Sequence, residues 1–212
     1  MTTTPTVESV SAQAATFMQP IPDAFEPFPK IPRLSREMVI SEKLDGTNAS
    51  ILFQPDGSWK AGSRNRWLSS EADNYGFYSW VNKVHDDLFK LLGVGRHFGE
   101  WWGCGIQRTY DKNTKCFSLF NVSKWGFLAD PEYIKSQGQL VLNGVPVSCV
   151  PVLATGLQFD TEIINLTMQA LHATGSRASP GYMNPEGIVV YHKGSNCLFK
   201  KTFEHDEMGK GE

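Results

Sequence analysis

Glu42-Lys43-Leu44-Asp45-Gly46-Thr47-Asn48 sets a lysine at the end of a strand-like run, followed by an acid and a glycine turn. An amine presented in this way to a concave site is a nucleophile once its proton is removed. Read in isolation, the same run is also a surface hairpin with a solvated lysine. Four further segments follow it. Gly62-Ser63-Arg64-Asn65-Arg66-Trp67 brackets an asparagine with two guanidiniums, which grip phosphate oxygens through paired hydrogen bonds. In Phe98-Gly99-Glu100-Trp101-Trp102-Gly103 strand alternation puts Phe98, Glu100 and Trp102 on one face. A carboxylate among aromatic rings needs a cation, a metal ion or hydroxyl donors. Phe117-Ser118-Leu119-Phe120-Asn121-Val122 offers a ring that can stack on a base or simply pack in the core. Glu186-Gly187-Ile188-Val189-Val190 opens with a carboxylate suited to a hard metal ion, and Lys200-Lys201 follows on the next strand as a partner for phosphate.

These residues need a scaffold. Alternation and turn signals predict strands at Met38–Lys43, Ala49–Phe53, Ser58–Gly62, Arg96–Trp102, Cys116–Val122, Val147–Leu153, Gly187–Tyr191 and Cys197–Phe203. Phe77, Trp80, Val81, Val84, Leu88, Leu91 and Leu92 recur at helical spacing and predict an amphipathic helix closed by Gly93. Asp130-Pro131 opens a short helix as an N-cap with proline at the first helical position. Asp160 or Thr161 opens another helix running to about His172. The expected fold class is α+β: one domain of mainly antiparallel sheets with flanking helices. Residues 1–28, rich in Thr, Ser, Ala and Pro, are expected to be a flexible segment; 29–203 form the domain, and 204–212 an acidic tail.

The chain of 212 residues is 41% hydrophobic and 20% charged, which suits a water-exposed globular domain with a sizeable core. Its four cysteines lie far apart with no metal-ligand spacing, which argues against a disulfide scaffold or a structural zinc site. No stretch is apolar enough to span a bilayer and the first residues lack a secretory pattern, so a cytoplasmic monomer is expected. The net charge of −2 is unevenly spread: residues 30–203 carry 19 bases against 15 acids, between acidic ends. That excess is modest, so any phosphate site must be a local cluster.

Taken in order, the five segments resemble the covalent nucleotidyltransferases: ATP-dependent DNA and RNA ligases and mRNA capping enzymes. The resemblance covers about residues 29–203 and is strongest to minimal phage or editing-type RNA ligases, which carry asparagine where Asn48 stands. DNA ligases and capping enzymes usually place arginine there. The resemblance implies a nucleotidyltransferase fold of the ATP-grasp-like ligase type, without an OB-fold domain. It implies ATP rather than NAD as donor, Mg²⁺ or Mn²⁺, and RNA ends carrying a 5′-phosphate and a 3′-OH; a phage-encoded copy would work in host bacterial cytoplasm.

By the same resemblance Lys43 is the nucleophile that becomes lysyl-AMP. A free lysine has a pKa of about 10.4, so it needs desolvation and cations such as Arg64 and Lys200 nearby to favour the amine. Glu42 is implied to read the adenine amino group, Arg64 to touch phosphate or the acceptor end, and Phe120 to stack the base. Glu100 is implied to engage the ribose or a metal-bound water, Glu186 to hold the hydrated metal, and Lys200 to neutralise the α-phosphate. Asn48 positions the metal shell or the phosphate, and Asp45 orients the lysine loop. The family spaces its closing lysines as K-x-K, whereas Lys200 and Lys201 are adjacent and must face opposite ways. Lys200, with Thr202 on its face, is the expected one, and Lys201 is the alternative. Competing readings are a DNA-nick ligase or capping-type enzyme, and a catalytically silent nucleic-acid-binding module.

Overall fold

A computed structural model describes residues 25–204 and 206 of the chain. Most of the expected flexible segment and acidic tail therefore lies outside the described residues. The chain divides into two units, Met1–Pro32 and Arg33–Glu212. In the first, Phe25–Pro32 has no regular secondary structure. The second carries every helix and strand among the described residues.

Between Lys43 and Thr47 the chain leaves one sheet and enters another. β1 (Met38–Lys43) belongs to a four-stranded sheet with β8 (Val152–Gly156), β9 (Gly187–His192) and β10 (Cys197–Thr202), in the order β10-β9-β1-β8. β2 (Thr47–Phe53) belongs to a six-stranded sheet with β3 (Trp59–Gly62), β4 (Gly95–Gly103), β5 (Lys115–Leu119), β6 (Val141–Leu142) and β7 (Val145–Cys149), in the order β3-β2-β4-β5-β7-β6. The strands on either side of Asp45-Gly46 are thus not a hairpin. Every pairing is antiparallel except β5 with β7. That parallel pair needs a crossover. It is made by α2 (Val122–Trp125), a 3₁₀ turn (Gly126–Ala129) and α3 (Pro131–Gln137).

The sequence places α1 (Phe77–Leu92) and α3 closely. α1 buries Phe77, Trp80, Val81, Val84, Leu88 and Leu92, and the Gly93 amide bonds to Phe89 O. In α3 the Asp130 carboxylate accepts from the amides of Glu132 and Tyr133, beside Pro131 at the helix start. Two expectations fail locally. The predicted strand Cys116–Val122 stops at Leu119, because Asn121 caps a helical turn by accepting from the Lys124 amide. The predicted strand Val147–Leu153 is two strands in different sheets, parted at Val150-Pro151, where proline's missing N–H ends the ladder.

Each sheet packs one face on a helix. The six-stranded sheet and α1 share a core around Ile51, Phe53, Phe77, Trp101, Phe117 and Leu119. The four-stranded sheet packs Met38, Ile40, Ile188 and Val190 on Ile164, Met168 and Leu171 of α4 (Thr161–Thr174). Each fully buried large side chain contributes roughly 1.5–3 kcal/mol. The other faces, joined through Leu44–Gly46, carry Lys43 and Lys200 from one sheet and Asn48 and Glu100 from the other.

Candidate active site

Glycine decides how closely the two sheets approach. A Cβ on Gly46 would sit 2.5 Å from the Trp101 carbonyl oxygen, so only glycine passes there. Gly187 has φ +152° and a Cβ would lie 2.2 Å from Lys201 O, so the first position of β9 is also reserved for glycine. These two positions set the ends of β1, β2 and β9 side by side.

Lys43 is placed opposite Gly187 in the β1–β9 ladder, one residue from Glu186. Its Nζ donates to Glu186 Oε1 at 2.5 Å, with the two side chains 24% and 18% exposed. Burial raises the Glu186 pKa, and the Lys43 ammonium works against that rise. The second oxygen, Glu186 Oε2, is the only buried side-chain polar atom among the described residues without a hydrogen-bond partner. A buried lone pair left open beside a cation is unusual in a folded protein and marks a position for a ligand.

Glu100 enters from the other sheet. It stands opposite Asn48 on β2 and Ser118 on β5. Its Oε1 accepts from the Gly46 amide at 3.1 Å. Burial lifts its pKa to about 7; Lys43 opposes the rise, and the negative charges of Glu186 and Asp45 add to it. Lys43, Asp45, Glu100 and Glu186 therefore form one coupled cluster.

Asp45 is held from the β4–β5 connection. Its amide donates to Tyr110 Oη at 2.9 Å, and Arg108 Nε donates to its Oδ2 at 3.2 Å. The same guanidinium bonds Asn184 O at 3.1 Å and Glu204 Oε2 at 2.7 Å. Arg108 and Tyr110 were missed by sequence reasoning. They sit in a loop with no periodicity, and their partners lie 63 and 65 residues away.

The ladder also separates the closing lysines. Lys200 pairs with Val189, which pairs with Ser41, so alternation gives it the Lys43 face of the sheet. Lys201 pairs with Ile188, which pairs with Glu42 on the α4 face, and its Nζ lies 3.9 Å from Asp206 Oδ2.

Glu42, expected to read the adenine amino group, is engaged within the protein. It is 1% exposed, on the opposite face from Lys43. Its Oε1 accepts from Ser176 Oγ at 2.5 Å, and Oε2 from the amides of Arg177 and Ala178 at 2.8 and 2.9 Å. Strand alternation turns neighbours to opposite faces, so Glu42 pins the 176–178 loop while Lys43 faces the site. Phe120 follows β5 directly, its amide bonded to Phe98 O and the residue 38% exposed. Arg64 is exposed just beyond β3, whereas Arg66 is used internally on the Ala72 and Asp73 carbonyls.

The sequence profile described as RNA ligase matches residues 36–203. The chain belongs to the RNA ligase family. Its match spans both sheets and every residue of the cluster above. Solved structures of a Naegleria gruberi RNA ligase share the fold. A glutamate-to-alanine mutant with ATP and Mn is 19% identical with TM-score 0.54, covering 81% of this chain and 51% of that one. An apo lysine-to-alanine mutant is 20% identical with TM-score 0.52, covering 79% and 49%. This chain thus spans about half the length of those structures. A comparison with curated proteins finds no match. Among the described residues no helix is long and apolar enough to cross a membrane.

Proposed function

We propose that this member of the RNA ligase family is an ATP-dependent RNA ligase working through a lysyl-AMP intermediate on Lys43. The observation that carries the reading is the Lys43–Glu186 bond beside Glu100, where two sheets meet. In the first step the Lys43 amine, having lost its proton, attacks the α-phosphorus of ATP. A P–N bond forms, the bridging P–O bond breaks, and pyrophosphate leaves. The 5′-phosphate of one RNA end then displaces Lys43 and takes the adenylate. The 3′-OH of the other end attacks that activated phosphate, forms the phosphodiester and releases AMP.

Each residue has a physical task in these steps. Asp45, tied to Arg108 and Tyr110, fixes the loop after the nucleophile. Lys200, on the Lys43 face, offsets charge on the phosphate being attacked. Phe120 offers a partly exposed ring for the base. Arg64 and Asn48 stand at the end of the six-stranded sheet that receives the phosphate being joined.

The donor set fits a hard divalent cation, Mg²⁺ or Mn²⁺: Glu186 Oε2 is buried and free, and Glu100 and Asp45 are close. Among the described residues no three such side chains converge tightly enough to hold an ion unaided. Glu186 would hold the hydrated ion and Glu100 would act through water. When bound, the ion supplies charge neutralisation at the phosphates. Neighbouring solved structures described with ATP and Mn and with AMP and Mn support this reading.

The test is transfer of label from α-labelled ATP to the protein. An acid-labile adduct formed with ATP, absent in Lys43→Ala, supports the proposal. Label from GTP alone points to a capping-type enzyme, sealing of nicked DNA alone to a DNA ligase, and no label with either nucleotide to a silent module.

A further inference from the structure

The outer strand of the six-stranded sheet carries a second surface with its own chemistry. β3 is an edge strand, and the returning segment Arg66–Leu68 covers part of that edge. It does so through a bridge between Gly62 and Trp67 and a Leu68 amide bonded to Ala61 O at 2.8 Å. This return lays the indole of Trp67 on the bare backbone of Gly62, where a Cβ would come within 3.2 Å of the ring. Trp67 is nevertheless 42% exposed. Lys60 Nζ lies 5.6 Å and the Arg96 guanidinium carbon 5.1 Å from its ring centroid. Beside it opens a cleft of about 420 Å³ lined by Trp59, Lys60, Trp67, Leu68 and Tyr78.

This surface runs toward the nucleophile. Lys60 pairs with Leu52, and Leu52 with Arg96, so both cations share the sheet face of Glu100. Arg96 is four residues from Glu100 along β4, or about 13 Å, and half-exposed Phe98 stands between them. Arg64 adds a third exposed cation at the exit of β3. Among the described residues none of Lys60, Arg64 and Arg96 is engaged in an ion pair. Exposed aromatic faces interleaved with unpaired cations match a polymer with negative charge on every unit and a π-face beside it. A duplex offers the phosphates but keeps its base faces stacked, so the match is to an unpaired strand.

We propose that the β3 edge binds an unpaired stretch of RNA, one base stacking on Trp67 and the flanking phosphates meeting Lys60 and Arg96. That this strand is the one being joined rests on the ligase reading above; the stacking site itself does not.

Fluorescence anisotropy with a labelled single-stranded RNA of ~10 nucleotides, on the full chain with chelator and no ATP, tests it. Trp67→Ala is expected to weaken binding roughly ten-fold and Trp67→Phe much less. The double variant Lys60→Ala/Arg96→Ala should lower the slope of log affinity against log salt by about 1.4. Lys135→Ala, exposed on α3, should change neither. Unchanged affinity and slope in the variants, binding of duplex RNA alone, or no binding of RNA would overturn the proposal. Where Trp67→Ala does not fold, Trp67→Phe and the double variant decide. RNA binding that depends on Trp67 without any adduct from ATP keeps this site and sinks the ligase reading; an adduct without such dependence does the reverse.

Discussion

Lys43 and Glu186 are 143 residues apart in sequence and share a 2.5 Å hydrogen bond, because β1 and β9 pair with Lys43 opposite Gly187. The Lys43 amine is therefore aimed by a backbone ladder rather than by its own flexible stem. Glu186 accepts from Lys43 with one oxygen and keeps the other open.

Replacing that carboxylate separates chemistry from folding. Glu186→Gln keeps an oxygen for Lys43 but removes the charge that a cation needs. Adduct formation should fall by about a hundred-fold or more. Unfolding in urea should shift far less, by about 1–2 kcal/mol, since the amide oxygen still accepts from Lys43 and the pair is partly exposed to water. Equal loss of both would mean that Glu186 is structural.

Glu100 predicts a pH dependence of stability in metal-free protein. Its pKa rises from 4.5 to about 7 on folding, so the folded state holds a proton that the unfolded chain releases earlier. The resulting stabilisation is full below pH 4.5 and is lost as pH rises through about 7. For this group it is on the order of 3 kcal/mol. Glu100→Gln should flatten that part of the decline in a series of thermal melts with chelator, and an unchanged profile would remove Glu100 as its source.

Glu42 is expected to matter for folding more than for contact with a nucleotide. Glu42→Ala strands the Ser176 hydroxyl and the Arg177 and Ala178 amides, at a cost of about 3 kcal/mol. Denaturant unfolding measures it. A well-folded Glu42→Ala protein with weakened ATP affinity alone would instead support the role as adenine reader.

The two closing lysines should behave differently. Lys200→Ala is expected to cut adduct formation by about a hundred-fold, as loss of a charge-neutralising group does. Lys201→Ala removes only a partly exposed pair with Asp206 and should stay within roughly two-fold, at about 0–1 kcal/mol in stability. Rates of label incorporation from ATP give the answer; the reverse order would mean that the β9–β10 register is shifted by one residue.

Much of the architecture was legible along the chain. The α1 stripe, the Asp130-Pro131 helix start and the strand alternation around Lys43, Glu100 and Glu186 are local patterns. Spacing of three or four residues makes a helix face, and alternation makes a strand face, wherever the rest of the chain goes. The order of the five segments carried the family resemblance for the same reason, since it needs no knowledge of what touches what.

The sequence by itself determined the main strands and the three longer helices, and which side chains share a face with the lysine on its own strand. Only the tertiary structure decided that β1 and β2 part into different sheets, that Glu42 is spent on the 176–178 loop, and that Arg108 and Tyr110 hold Asp45. Those are contacts between residues 63 to 136 positions apart, with no periodic signature in between. Their partners are set by how the two sheets close on one another, which depends on packing and burial summed over the whole domain.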